Sequence, residues 1–312
     1  MSVSPSYPRS LVITRLRAAG CVFAEDEARL LISTARTPAD LAAMVDRRVA
    51  GLPLEHVLGW AEFCGLRIAV DPGVFVPRRR TEFLVHEAVA IARHAADHTG
   101  SAGSAGSADS AGSVGEASGR STVVVVDLCC GSGAVGAALT AALDQVDRHA
   151  VDRHAVELHA VDIDPAAVRC ARRNVAAAGG HVYEGDLYEP LPATLRGRVG
   201  ILVASAPYVP TGAIRLLPPE ARIHEPPVAL DGGADGLDVV RRVAAAAPLW
   251  LAPGGCLLVE TSEGQARETA EIVARNGLIP RTAGSTELNA SVVIGTMPVL
   301  DGGPAAGPVL RT

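Results

Sequence analysis

The stretch Ser121 to Gly136, STVVVVDLCCGSGAVG, constrains the fold more than any other. Four consecutive valines without polar alternation fit a strand that is apolar on both faces, the pattern of a central strand in a parallel sheet. Gly131, Gly133 and Gly136 follow at the G-x-G-x-x-G spacing. That spacing permits a tight turn and brings backbone N–H groups to a ligand at the start of the next helix. Asp127 stands just before the loop, where a carboxylate repels the pyrophosphate of a dinucleotide and suits a ligand with a cationic amine. S-adenosylmethionine is such a ligand, with an ammonium group, a ribose, an adenine and no phosphate. Leu158 to Asp162 reads as the next strand, and its terminal Asp162 is placed to accept from both ribose hydroxyls. Asp186 follows another short apolar stretch and is placed to accept from the adenine amino group. Acids at three successive strand ends favour this cofactor over a nicotinamide dinucleotide, although each acid alone also fits a helix cap or loop.

Composition removes several other chemistries. All 28 basic residues are arginine, so a Walker A lysine, a Schiff base and pyridoxal phosphate chemistry are excluded. A net charge of −6 argues against a broad nucleic-acid-binding surface. The six cysteines form no C-x-x-C pair, so neither a zinc site nor a disulfide framework is expected; Cys129 and Cys130 read as small residues in a crowded turn. No apolar run approaches the length of a membrane span, and MSVSPSYPRS lacks the regions of a signal peptide, so the expected compartment is the cytoplasm.

In chain order, apolar spacing from Leu11 to about Ala50 is helical, with Thr37 capping a helix that has Pro38 in its first turn. Residues 1–62 are therefore expected to form a small helical domain with Arg29, Arg47 and Arg48 on solvated faces. Residues 63–77 alternate around Asp71-Pro72-Gly73 and read as a hairpin linker. A larger domain is expected over 78–312, opening with the Arg78-Arg79-Arg80 run, which reads as a solvated charge run or a contact for an acidic partner. Thr81 is positioned to cap the helix that follows. Residues 97–121 are a Gly, Ser and Ala segment read as a disordered insertion, and VDRHA is duplicated between Val146 and Ala155. Further strands are expected at Ile201 to Ala204, Leu257 to Glu260 and Ser291 to Thr296, the last following a helix over Gln265 to Arg275. Alternating strands and helices imply an α/β doubly wound parallel sheet with its ligands at the carboxyl edge.

The end of the fourth strand carries Ser205-Ala206-Pro207-Tyr208. With it stand Arg48 to Leu54, Pro72 to Arg78, Asp127 to Gly136, Gly185 to Leu191 and Ala229 to Leu237, the last reading ALDGGADGL. In these motifs the chain resembles the release factor glutamine N5-methyltransferases, a class I S-adenosylmethionine-dependent family. The resemblance implies a mainly parallel, seven-stranded Rossmann-like sheet joined through a β-hairpin to the N-terminal helical domain, which would recognise the substrate. It implies a protein partner, a peptide chain release factor methylated on the glutamine amide of its Gly-Gly-Gln loop. It also implies cofactor binding by Asp127, Gly131, Gly133, Asp162, Asp186, Leu187 and Ser205, and catalysis by Ser205, Ala206, Pro207 and Tyr208.

In that family the catalytic motif is Asn-Pro-Pro-Tyr, whose asparagine oxygen and first proline carbonyl accept the two N–H bonds of the target amide. Ala206 still offers a carbonyl, and Pro207 holds Ala206 extended. Ser205 is the larger departure, because a hydroxyl is shorter than a carboxamide and both donates and accepts. Loss of one positioned partner is expected to lower the rate by about 10²-fold. Arg79 and Arg80 also replace the family's Pro-Glu. Two alternatives stay open on sequence: methylation of a nucleic-acid exocyclic amine, and a weakly active or non-catalytic S-adenosylmethionine-binding relative.

Overall fold

The computed structural model describes residues 8–101, 122–147 and 155–299. The chain opens with α1 (Arg9–Ala18), α2 (Ala24–Thr34), α3 (Pro38–Val49) and the short α4 (Leu54–Leu58). Thr37 caps α3 by accepting the Asp40 N–H at 3.1 Å. These helices bury Val12, Leu16, Leu31 and Val45 in a cluster of their own. Arg48 is 8% exposed rather than solvated. Its guanidinium donates to Glu27 at 2.6 Å and to Glu220, 172 residues on, also at 2.6 Å. Those two carboxylates hold it charged inside. Arg29 is exposed as expected.

The hairpin that follows differs from the reading of 63–77. Its strands are β1 (Trp60–Phe63) and β2 (Leu66–Ala69), which turn at Cys64-Gly65. Both turn residues have positive φ, 49° and 72°, as the tight hairpin turn of this hand requires; glycine adopts it freely and cysteine under strain. Asp71-Pro72-Gly73 does form a turn, closed by the Val74 N–H on the Asp71 carbonyl at 3.1 Å, but it joins no strands. Next comes α5 (Glu82–Ser101). Of the insertion expected over 97–121, residues 97–101 therefore continue a helix, and the rest lies outside the described residues, as does most of the VDRHA repeat.

The remaining elements alternate: β3 (Thr122–Leu128), α6 (Ala134–Asp147), β4 (Ala155–Asp162), α7 (Pro165–Val175), β5 (His181–Glu184) and β6 (Val199–Ala204). They continue with α8 (Pro219–His224), α9 (Asp238–Trp250), β7 (Leu251–Thr261), α10 (Ala266–Arg275), β8 (Ile279–Ser285) and β9 (Ala290–Thr296). The seven strands lie in the order β5-β4-β3-β6-β7-β9-β8, all parallel except β9, which runs against both its neighbours. The valine run serves both faces: Val125 packs with α5 and α6, while Val124, Val126 and Leu128 pack toward α9 and α10. Strand β8 escapes sequence reading because it is an edge strand whose residues are largely exposed, so it carries no apolar alternation. No helix among the described residues is long and apolar enough to cross a membrane.

The order in which strands are added reverses between β3 and β6, which are parallel: β4 and β5 lie on one side of β3, β6 and β7 on the other. The carboxyl ends at that switch point are where a ligand crevice opens in such a sheet.

Candidate active site

Two contiguous cavities open there. One is walled by the loop after β3, by Asp162, Asp186 and Leu187, and by Ser205 and Pro207. The other is walled by Ser205 to Tyr208, Arg80, Glu225 and Glu260. Ser205 belongs to both and marks their junction.

The loop after β3 is held by its neighbours' acids. Gly131 donates its N–H to Asp162 Oδ2 at 2.7 Å, and Asp164 donates its own to Oδ1 at 2.9 Å. Asn174 on α7 adds a bond to the Ser132 carbonyl at 2.8 Å. Cys129 adopts φ 56°, a strained conformation for a side-chain-bearing residue, and Leu187 in the opposite wall adopts φ 50°. Burial pushes the thiols of Cys129 and Cys130 up, so both stay neutral. Gly136 is needed for close approach, since a Cβ there would press on Leu158 and on Asp127 Oδ2.

The structure separates the three strand-end acids. Asp162 and Asp186 reach the cavity wall, whereas Asp127 is fully buried behind the loop. Asp127 Oδ2 accepts the Gly136 N–H at 2.9 Å, and Oδ1 has no partner among the described residues. Burial pushes Asp127 up to about 7 and also raises Asp162. Asp186 is engaged by Arg242 of α9 at 2.6 Å, a wall residue that the sequence patterns did not mark.

At the acceptor end, Ala206 and Pro207 are buried and Tyr208 is half-buried, with its hydroxyl pushed up to about 12 by burial. The backbone of this loop is braced by the ALDGGADGLD segment. Val209 donates to the Leu230 carbonyl at 3.1 Å, and Gly232 donates to the Val209 carbonyl at 2.9 Å. Gln265 Nε2 ties the Tyr208 and Asp235 carbonyls together at 3.0 and 2.9 Å. Gly236, at φ 82°, lies so close to the Tyr208 carbonyl that a Cβ would collide with it.

Arg78 and Arg80 are not a free charge run. Arg78 pairs with Glu225, whose side chain is 1% exposed and which also accepts the Val76 N–H at 3.2 Å. Arg80 lies 3.5 Å from Glu260 and its guanidinium sits 5.7 Å from the Tyr208 ring centre. Glu260 ends the apolar run Leu257 to Val259, so the strand-end reasoning applied to Asp127 and Asp162 would have singled it out too. Ser205 donates its hydroxyl to Glu260 Oε2 at 3.1 Å.

No family model matches the chain. It is 37% identical over 245 residues to the release factor glutamine methyltransferase of Geobacter sulfurreducens, spanning 77% of this chain and 72% of the relative. To the protein of the same name from Mycolicibacterium smegmatis it is 34% identical over 258 residues, spanning 81% and 78%. The 4-amino-L-phenylalanine/4-methylamino-L-phenylalanine methyltransferase of Streptomyces pristinaespiralis is 34% identical over 216 residues, spanning 69% and 63%.

Proposed function

Because the chain belongs to the release factor glutamine methyltransferase family, we propose that it methylates the side-chain amide nitrogen of a glutamine in a peptide chain release factor, in the Gly-Gly-Gln loop. The observation that supports this reading is the meeting of the two cavities at Ser205. The donor is S-adenosylmethionine, which supplies a methyl group on a cationic sulfur.

The donor set suits it. Asp162, Asp164 and Asp186 crowd the first cavity, an arrangement favourable to a cation and hostile to phosphates. Asp162 takes the ribose hydroxyls, and Asp186 with the Leu187 backbone holds the adenine. Asp127 acts from behind, as negative charge under the loop. In the second cavity an amide nitrogen is a poor nucleophile, so the chain works by positioning: Ser205 Oγ and the Ala206 carbonyl accept its two N–H bonds and turn its lone pair toward the methyl group. Tyr208 packs beside the amide, and Pro207 keeps Ala206 extended. The helices α1–α4 hold the protein substrate. On this reading the protein works in the cytoplasm, in translation termination.

One observation favours a second reading. Ser205 and Arg80 both depart from the family pattern, and a half-exposed guanidinium in the acceptor cavity suits the carboxylate of a free amino acid bearing an aryl amine. Labelled methyl transfer distinguishes the two. Purified protein given a release factor and, separately, 4-aminophenylalanine is expected to label the Gly-Gly-Gln peptide by mass spectrometry; label in the amino acid alone would overturn the first reading.

A further inference from the structure

Strand register sets Glu260 beside the catalytic loop: Ala204 of β6 pairs with Val259 of β7, so the next residue on each strand, Ser205 and Glu260, emerge side by side. Glu260 is 3% exposed, and its Oε2 takes the Ser205 hydroxyl at 3.1 Å. It lines the acceptor cavity and is not in the wall of the cofactor cavity. From this arrangement we propose that Glu260 is a positioning residue that makes Ser205 act solely as a hydrogen-bond acceptor for the substrate nitrogen and stabilises the positive charge that arrives there. The proposal rests on the reading of the acceptor cavity given above.

A lone serine is ambiguous in this position. Its hydroxyl rotates among staggered positions and can donate or accept, and a proton turned toward a substrate N–H would repel it. A carboxylate can only accept from the hydroxyl. Once the Ser205 proton is committed to Glu260, the remaining lone pairs of Oγ are the only feature it offers the substrate. Serine then presents what the family's asparagine oxygen presents.

The charge of Glu260 adds a second effect. As the C–S bond breaks with its electron pair going to sulfur and the nitrogen lone pair forms the new N–C bond, positive charge moves from sulfur to nitrogen, which then gives one N–H proton to water to leave the neutral N-methyl amide. The N–H bond on Ser205 Oγ strengthens as this happens, and the hydrogen bond from Ser205 to Glu260 strengthens with it. Stabilisation that grows toward the transition state raises kcat and leaves substrate affinity nearly unchanged. Arg80, 3.5 Å from the other carboxylate oxygen, keeps that oxygen from competing for the hydroxyl.

The test is a double-mutant cycle in the full chain, with release factor as acceptor and cofactor affinity followed by calorimetry. Glu260→Gln is near-isosteric; it removes the charge and turns one of the two acceptor oxygens into an N–H donor. It is expected to lower kcat by at least about tenfold, with KM for the release factor and cofactor affinity within about twofold. In the Ser205→Ala background the same change is expected to cost less than about twofold, because the residue it acts through is gone. Ser205→Asn, whose side-chain oxygen needs no orienting partner, is expected to restore activity to Glu260→Gln. An equal loss from Glu260→Gln whether or not Ser205→Ala is also present would overturn the proposal while leaving the release-factor reading intact. No label in release factor from the unsubstituted protein would instead remove that reading, and the proposal with it.

Discussion

The loops Cys129–Gly136 and Ser205–Tyr208 stand at the carboxyl ends of neighbouring strands, yet different contacts hold them. The first is fastened to β4 and to its own strand: the Cys130 N–H reaches the Val161 carbonyl at 3.0 Å, Gly131 reaches Asp162 and Gly136 reaches Asp127. The second is fastened by chain that arrives later, from Leu230 to Gly236 and from Gln265, and its cavity is walled by Glu225 paired with Arg78. A cofactor site can thus persist on a few motif residues, whereas acceptor geometry depends on several distant segments arriving together. Family-wide cofactor chemistry combined with departures such as Ser205 and Arg80 is what that division would permit.

Substitutions can break the two ends apart. Gly236→Ala puts a Cβ against the Tyr208 carbonyl at a φ that disfavours any side chain. Methyl transfer should fall by about 10²-fold or more, with cofactor affinity measured by calorimetry little changed; parallel loss of both would mean the ends are not separable. Asp162→Ala acts on the other end. It removes an acceptor of two backbone N–H groups as well as the proposed ribose contact. Cofactor binding should weaken by about 1.5–3 kcal/mol, the scale of a hydrogen bond to a charged group, while an intact Ser205 loop keeps kcat at saturating cofactor within a few-fold.

Asp127 sharpens the comparison through pH. A buried carboxyl held near 7 in the folded chain, against 3.8 when unfolded, binds more protons folded than unfolded between those values. Its contribution is therefore present at low pH and lost as pH rises through about 7, a fall of about 4 kcal/mol by linkage. Urea unfolding of the cofactor-free protein should show this decline, and Asp127→Asn should flatten it. Cofactor affinity should run the opposite way, rising through pH 7 as the cation meets an ionised carboxylate; a flat profile would show that Asp127 does not sense the ligand. The smallest effect is expected for Arg242→Ala. Its ion pair with Asp186 is half-exposed, and such pairs contribute about 0–1 kcal/mol, so cofactor affinity should shift by less than about fivefold.

Much of the cofactor end is legible in the amino-acid sequence because it is written in short-range pattern. The valine run specifies a strand buried on both sides, the glycines specify the loop, and an acid at a strand end must emerge at the sheet's carboxyl edge. The acceptor end is legible as a motif but not as a mechanism. ALDGGADGLD can be recognised, yet its purpose, glycines that let one loop lie against the Tyr208 backbone, depends on the close approach of two segments.

Sequence by itself determined the sheet's central strands, the loop and the acids that could face a sulfonium, since side-chain alternation and glycine conformation act within a few residues. Only the tertiary structure decided that Asp127 stays behind the loop, that Arg48 is buried between Glu27 and Glu220, that the hairpin turns at Cys64-Gly65, and that Ser205 meets Glu260. Burial, ion pairing and strand register are relations between residues far apart in the chain. A carboxylate reads the same in sequence whether it faces solvent, a cavity or an arginine.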